Sequence, residues 1–234
     1  MFNRRKALLA VATKGALDML PLSLAVLPWG ILFGSLAIQR GFSWIEAQLF
    51  SAIIFGGAVQ IVTVELMAED TPLLTVLFSA LVISSRHFLY GLTLREKLRT
   101  KPLRWRVGLG FLLTDELFSL SGDRRAYANR YRLYYALGAG GSFYLAWNVW
   151  TAAGIVAGAW LPDLTNLGLD FAIAATFIAL VIPDIKSLPI IVCVLVSAIL
   201  SIVFSIYNLE LGLVLAALIG MLAGFGLQKL RQAQ

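Results

Sequence analysis

The chain has 234 residues, of which 59% are hydrophobic and 14% charged, with a formal charge of +6. A soluble domain carries about 25% charged residues, so this chain lacks the polar groups to cover a globular surface, and lipid must be the solvent for much of it. Lys and Arg fall in short loops between apolar runs, which directs the basic balance to a membrane and away from nucleic acid.

A spanning helix needs roughly 20 mostly apolar residues, so the chain has room for about six to eight such segments and little else. We expect an all-α, polytopic integral membrane protein forming one membrane domain over residues 1–234. Residues 1–14 are read as a basic cytoplasmic tail that starts the first helix. A cleaved signal is disfavoured, because the apolar stretch 7–13 is short and is stopped by Lys14.

Segment one, about residues 15–38, contains Pro21 and Pro28 and cannot be a uniform helix, since proline removes an N–H and clashes with the preceding turn. Segment two, about 45–67, carries Gly56 and Gly57 in its middle, and segment three covers about 72–94. Segment four, 107–121, is too short for a full crossing, reaching only about 22 Å. Segment five is about 133–161. Segment six, 171–182, is short and ends at Pro183. Segments seven and eight are 189–206 and 209–227.

Cytoplasmic loops carry excess Lys and Arg. The N-terminus (Arg4, Arg5, Lys6, Lys14), the loop after segment three (Arg95, Lys97, Arg99, Lys101, Arg104, Arg106), the loop after segment four (Arg124, Arg125, Arg130, Arg132) and the C-terminus (Lys229, Arg231) should therefore all be cytoplasmic. Full crossings by segments one to three would put the second of these outside. The conflict disappears if segments two and four enter the membrane and return. About six full transmembrane helices plus two re-entrant segments satisfy every basic loop, with seven to eight crossings as the alternative. Proline-broken segments in both halves, at Pro21/Pro28 and Pro183/Pro189, leave room for an inverted repeat.

Ionisable residues inside membrane segments mark function by default. Arg86 and His87 lie within segment three, in the run 84–90 that ends at Tyr90, and Arg86 precedes Arg95 by nine residues, roughly 13 Å. Asp115 and Glu116 are adjacent in segment four, where two ionised carboxylates would repel, so one should bind a proton or meet a cation. Arg86 and His87 are the obvious partners, whether to carry a coupling proton or only to fix two segments together. The Gly56–Gly57 pair suits a re-entrant turn beside a small substrate, or close helix packing. Small-residue pairs at i, i+4 (Gly30/Gly34, Gly154/Gly158, Gly220/Gly224) allow helices to approach closely. His87 and Cys193 are the single histidine and cysteine, so neither a multi-His nor a multi-Cys metal site nor an intramolecular disulfide can form. No H-E-x-x-H, G-x-S-x-G or P-loop motif occurs; we expect no enzyme and no cofactor.

The blocks at 21–34 (PLSLAVLPWGILFG), 55–60 (FGGAVQ), 85–91 (SRHFLYG) and 113–118 (LTDELF), with Trp147-Asn148 and the 169–171 block, resemble the AzlC-type family, the large subunit of bacterial branched-chain amino acid exporters. The resemblance covers about residues 15–228, and its Gly56-Gly57 pair is a mild departure from the family pattern. It implies export of valine, leucine and isoleucine, with methionine a further candidate. It also implies a small AzlD-type membrane partner, energy from a proton or ion gradient, and a multi-pass place in a bacterial inner membrane. On that reading Pro28, Trp29, Gly30, Phe33, Gly56, Gly57, Gln60, Trp147 and Asn148 are the candidate substrate-binding residues. Arg86, His87, Tyr90, Asp115 and Glu116 are the candidate charge network. A transporter or channel for another small solute, or a structural subunit of a membrane complex, remains the alternative.

Overall fold

The computed structural model describes residues 2–121, 127–160, 178, 182, 185–207, 209 and 212–232. Its elements are helices: α1 (Phe2–Ala25), α2 (Leu27–Gln39), α3 (Trp44–Ile54), α4 (Gly57–Ala68), α5 (Leu73–Leu98), α6 (Leu103–Phe111), α7 (Asp115–Leu120), α8 (Arg130–Trp160), α9 (Leu188–Ile206) and α10 (Gly212–Gln232). Among the described residues, four stretches are long and apolar enough to cross a membrane: Arg4–Ala25, Leu73–Leu98, Leu188–Ile206 and Val214–Gln232. The chain divides into two compact units, Met1–Ile173 and Ala174–Gln234.

In the first unit, the expected irregularity of segment one falls at Val26. α1 continues through Pro21, whereas Pro28 sits in the first turn of α2, where its missing N–H has no intrahelical acceptor to lose. The basic residues 4–14 belong to α1 and extend it. Together α1 and α2 run parallel to α8. A Cβ on Gly138 would strike the backbone of Ala12, one on Gly154 the backbone of Ile31, and one on Gly158 would lie 2.7 Å from the Ser35 Cα. Gly30 and Gly34 face Trp150 and the Thr151–Gly154 backbone in turn, so the Gly30/Gly34 and Gly154/Gly158 pairs both serve close packing in this unit.

Segment two is folded back on itself. α3 starts on a capping box, in which the Ser43 side chain accepts from Glu46 N and Glu46 reaches back to the Ser43 N–H, and it stops at Phe55, whose φ of 39° is left-handed. α4 starts two residues later. With 11 and 12 residues, the two helices laid end to end would span about 34 Å. Yet Arg40, just before α3, pairs with Glu65 near the end of α4 at 2.6 Å, and Ala47 and Val64 share one buried cluster with Phe33 and Ala37. A full crossing cannot bring those ends together; a re-entrant hairpin does.

Segment four makes the second hairpin. α6 leaves the basic end of α5, the chain breaks at residues 112–114, and α7 returns. Asp115 at the start of α7 pairs with Arg86 halfway along α5, whereas Ser121 after α7 accepts from Lys97 Nζ at 3.4 Å. Arg86 and Lys97 are about 16 Å apart along the helix. The two hairpins thus insert from opposite ends of α5, as the basic loops require.

In the second unit, α9 and α10 pack antiparallel, with Gly224 against Pro189 and Cys193, and Gly220 against Cys193 and Ser197. The expected segment six and the 169–171 block fall outside the described residues, apart from isolated positions.

Two outcomes check this architecture. In a Cys193→Ser background, Trp44→Cys and Glu69→Cys should be labelled by a membrane-impermeant thiol reagent from one face, and Thr100→Cys and Ala128→Cys from the opposite face. Labelling of residues 44 and 69 from different faces would mean that segment two crosses. Separately, Gly34→Leu should lower the melting midpoint in detergent, consistent with an overpacking cost of about 1–3 kcal/mol or more. Gly141→Ala, with open space around its Cβ position, should not.

Candidate functional site

The break in segment two lies against α8, which supplies the polar groups around it. On the α3 side, Gln48 Nε2 donates to Asn148 Oδ1 at 2.9 Å, Ser51 Oγ and Thr151 Oγ1 share a hydrogen bond of 2.6 Å, and the Tyr144 hydroxyl donates to the Ala52 carbonyl at 2.9 Å. On the α4 side, Gln60 Oε1 accepts from Trp147 Nε1 at 3.1 Å, and its amide donates across the break to Ser51 Oγ at 3.2 Å. Gln60, Ser51 and Thr151 are each fully buried. Buried polar side chains stabilise a fold only when satisfied, and this set is satisfied by groups drawn from three helices.

Gly57 opens α4 directly beneath two indoles. A Cβ there would lie 2.9 Å from Trp147 and 3.2 Å from Trp29, so any larger residue would displace them. The first N–H groups of α4 have no intrahelical acceptor, and Gly56 provides no side-chain cap. These amides carry the positive end of the helix dipole. Of the nine candidate substrate residues, Trp29, Gly56, Gly57, Gln60 and Trp147 meet at this break, and Asn148 anchors its rim. The other three have packing roles: Phe33 is fully buried with Ala37, Ala47 and Val64, Gly30 abuts Trp150, and Pro28 starts α2.

The tip of one hairpin touches the tip of the other. Phe55, the left-handed residue at the first break, lies 5.0 Å edge-on from the Tyr144 ring, 5.9 Å from Phe143 and 6.0 Å from Phe111. Phe111 ends α6 at the second break and is 5.4 Å from Tyr144. Reading the sequence missed this aromatic cluster, as well as Gln48, Ser51 and Thr151. Available signals were the aromatic residue directly before the glycine pair and the i, i+4 spacing of Trp147 and Thr151 on one helix face.

The charge network assembles at the second hairpin. Arg86 Nη1 lies 3.0 Å from Asp115 Oδ2, with side chains 34% and 14% exposed. Arg86 Nε and Asp115 Oδ1 are buried and make no hydrogen bond among the described residues. Tyr90 stacks on Phe118 at 4.2 Å and meets the His87 ring edge-on at 5.9 Å. His87, Tyr90 and Glu116 all lie within electrostatic reach of the ion pair. Below the network, Ser121 Oγ and the Tyr127 hydroxyl share a 2.5 Å hydrogen bond, and burial pushes the Tyr127 phenol up. No hydrogen bond or ion pair among the described residues joins this network to the Gln60 cluster. They are connected through the α6–α7 break, where Phe111 and Asp115 are four residues apart in sequence.

Opposed re-entrant hairpins meeting beside an intramembrane ion pair define a multi-pass α-helical membrane protein with discontinuous helices. Residues 21–161 match the family model described as AzlC protein, and the chain belongs to that family. It is 34% identical over 217 residues to a membrane protein of Archaeoglobus fulgidus, covering 91% of this chain and 94% of that one. It is 27% identical over 186 residues to the inner membrane protein YgaZ of Escherichia coli, covering 76% of this chain and 74% of the relative. It is also 27% identical over 180 residues to the branched-chain amino acid transport protein AzlC of Bacillus subtilis, covering 77% and 70%. No solved structure matches.

Removing one partner of a half-buried ion pair should cost about 1–3 kcal/mol, between the exposed and fully buried cases. Arg86→Gln and Asp115→Asn should each lower the melting midpoint of the purified protein, and the double variant should lose clearly less than the sum. Strict additivity would mean that the two side chains do not interact.

Proposed function

We propose that the chain is a secondary active exporter, or its large subunit, for branched-chain and related hydrophobic amino acids, driven by the proton gradient. The observation that carries the reading is the meeting of two opposed hairpin tips beside an uncapped helix start, with Phe111 of the second tip four residues before Asp115 of an intramembrane ion pair. Discontinuous helices with exposed ends are how many transporters hold charged substrate groups near the bilayer midplane. The similarity to the branched-chain amino acid transport protein of Bacillus subtilis supports the substrate class.

In this mechanism, the substrate carboxylate accepts from the free N–H groups at the start of α4, and its ammonium faces the carbonyl end of α3. Its aliphatic side chain replaces Trp29 and Trp147 as the apolar contact over Gly57, with Phe55 and Tyr144 beside it. One methylene in an apolar pocket is worth about 1–3 kcal/mol, so valine, leucine, isoleucine and methionine share the site. Protonation of the Asp115–Glu116 pair weakens the hold of Arg86 and frees the second hairpin, and His87 relays the proton. A small AzlD-type membrane subunit completes the exporter in a bacterial inner membrane, with both termini cytoplasmic.

Substrate counterflow in proteoliposomes, with the chain alone and with the co-purified small subunit, tests the reading. We expect saturable exchange of labelled leucine, valine and methionine. Gly57→Leu should lose at least about tenfold in rate while remaining monodisperse, and Asp115→Asn should exchange with a rate that no longer follows pH. Absence of exchange from well-folded protein in both preparations would rule out the substrate class. Unchanged pH dependence in both Asp115→Asn and His87→Gln would remove the coupling role.

A further inference from the structure

On its basic side, the first unit contains a cavity of about 450 Å³ that the transport reading does not use. Its two long walls are helical faces. From α5 come Gly91, Leu94, Arg95 and Leu98, spaced i, i+3, i+4, i+7. From α6 come Leu103, Arg106, Val107 and Gly110 at the same spacing. Arg99 also lines the cavity, and among the described residues no carboxylate does. Arg99 pairs with Glu96 at 3.1 Å, whereas neither Arg95 nor Arg106 has an acidic partner within salt-bridge distance among the described residues. The far end is empty for a different reason, since a Cβ on Gly91 or Gly110 would meet nothing within 4 Å. Each wall carries its glycine about 10 Å from its outermost residue, Leu98 or Leu103. Leu103 and Val107 are 68% and 62% exposed, so the apolar lining continues onto the outer surface of α6.

We propose that this cavity binds an anionic membrane phospholipid, with its phosphate held by Arg95 and Arg106 and an acyl chain lying toward Gly91 and Gly110. The charge is complementary, because guanidinium groups that have no carboxylate partner among the described residues match a phosphodiester. The layout is also complementary: cations lie at the level of the basic loops, where headgroups sit, and an open apolar slot runs inward from them. Basic pockets between membrane helices recognise headgroups in this way. A soluble phosphate would use the arginines but leave the glycine-ended slot empty, so the occupant is a lipid.

Native mass spectrometry of the full chain in detergent micelles, titrated with phosphatidylglycerol, phosphatidylcholine or inorganic phosphate, tests this. Wild-type protein should retain phosphatidylglycerol at least about tenfold more tightly than phosphatidylcholine, and a large excess of inorganic phosphate should not displace it. Each arginine near the surface strengthens the attraction about fivefold, so Arg95→Gln/Arg106→Gln should weaken it about 25-fold. Gly91→Leu should also weaken binding several-fold by filling the slot. That change favours helix formation and meets no neighbour, so folding should survive, as a retained melting midpoint would confirm. The proposal is overturned if the two lipids bind equally. It is also overturned if phosphate displaces the lipid, if Gly91→Leu leaves binding intact, or if Arg4→Gln/Arg5→Gln on α1 costs as much as the cavity pair, since that would indicate diffuse attraction without a site.

Discussion

A carbonyl or amide left bare in hydrocarbon has no water to bond, and each costs several kcal/mol. The chain breaks its helices at residue 26, at residues 55–56 and at residues 112–114, and the rest of the first unit is organised around making those breaks tolerable. α8 does most of it. Trp150 Nε1 donates to the Ser23 carbonyl near the first break, and the Tyr144 hydroxyl donates to the Ala52 carbonyl near the second. At the third break the chain supplies its own cap, with the Thr114 hydroxyl accepting from Leu117 N. α8 can serve two breaks because it lies parallel to α1–α2 and also borders α3 and α6. Its glycines 138, 154 and 158 let the backbones close to the distance at which short polar side chains reach across.

The same packing explains why the polar side chains near the second break are fixed. Ser51 and Gln60 come from different arms of one hairpin and bond to each other, while Thr151 and Trp147 hold them from α8. Opening the hairpin would therefore disrupt a satisfied network that must find new partners. A polar substrate backbone can provide them, whereas an apolar solute cannot. In the exporter we propose, this is a source of selectivity for amino acids over hydrocarbons of the same shape, separate from the apolar contact over Gly57.

Much of this was legible in the sequence because membrane segments obey length, charge and proline rules that need no tertiary knowledge. The counting conflict between segments two and four and the basic loops led to two hairpins, and the pairings Arg40–Glu65 and Arg86–Asp115 fit them. Arg86 and Asp115 could be matched because ionisable groups are scarce in apolar runs. Ser51, Thr151 and Gln48 could not, since a hydroxyl or amide in a helix carries no mark of whether it bonds locally or across an interface. The burial of Phe33 was not legible for a related reason. It neighbours Trp29 in sequence, but four residues on a helix carry it a full turn along, into the core with Ala47 and Val64. Pro21 looked like a break and is not one, because α1 runs on through it until Pro28 sets the start of α2.

The remaining question is how a proton taken up on one side of the second break can influence Phe111 on the other side. α6 and α7 are joined by three residues, and the joint is clamped: a Cβ on Gly140 of α8 would lie 2.9 Å from the Leu112 Cβ and 3.1 Å from Leu117. The joint is thus fixed against α8, with Phe111 just before it and Asp115 just after. Packed interfaces switch between discrete arrangements more readily than they deform. In the exporter we propose, loss of the Arg86–Asp115 attraction lets α7 leave α5, and the clamp at Leu112 converts that release into a turn of Phe111 against Phe55 and Tyr144. No hydrogen-bonded wire between the two clusters is required, which agrees with the absence of one among the described residues. What is required is that Gly140 remain small, because only a bare backbone there lets the joint sit close enough to α8 to act as a pivot.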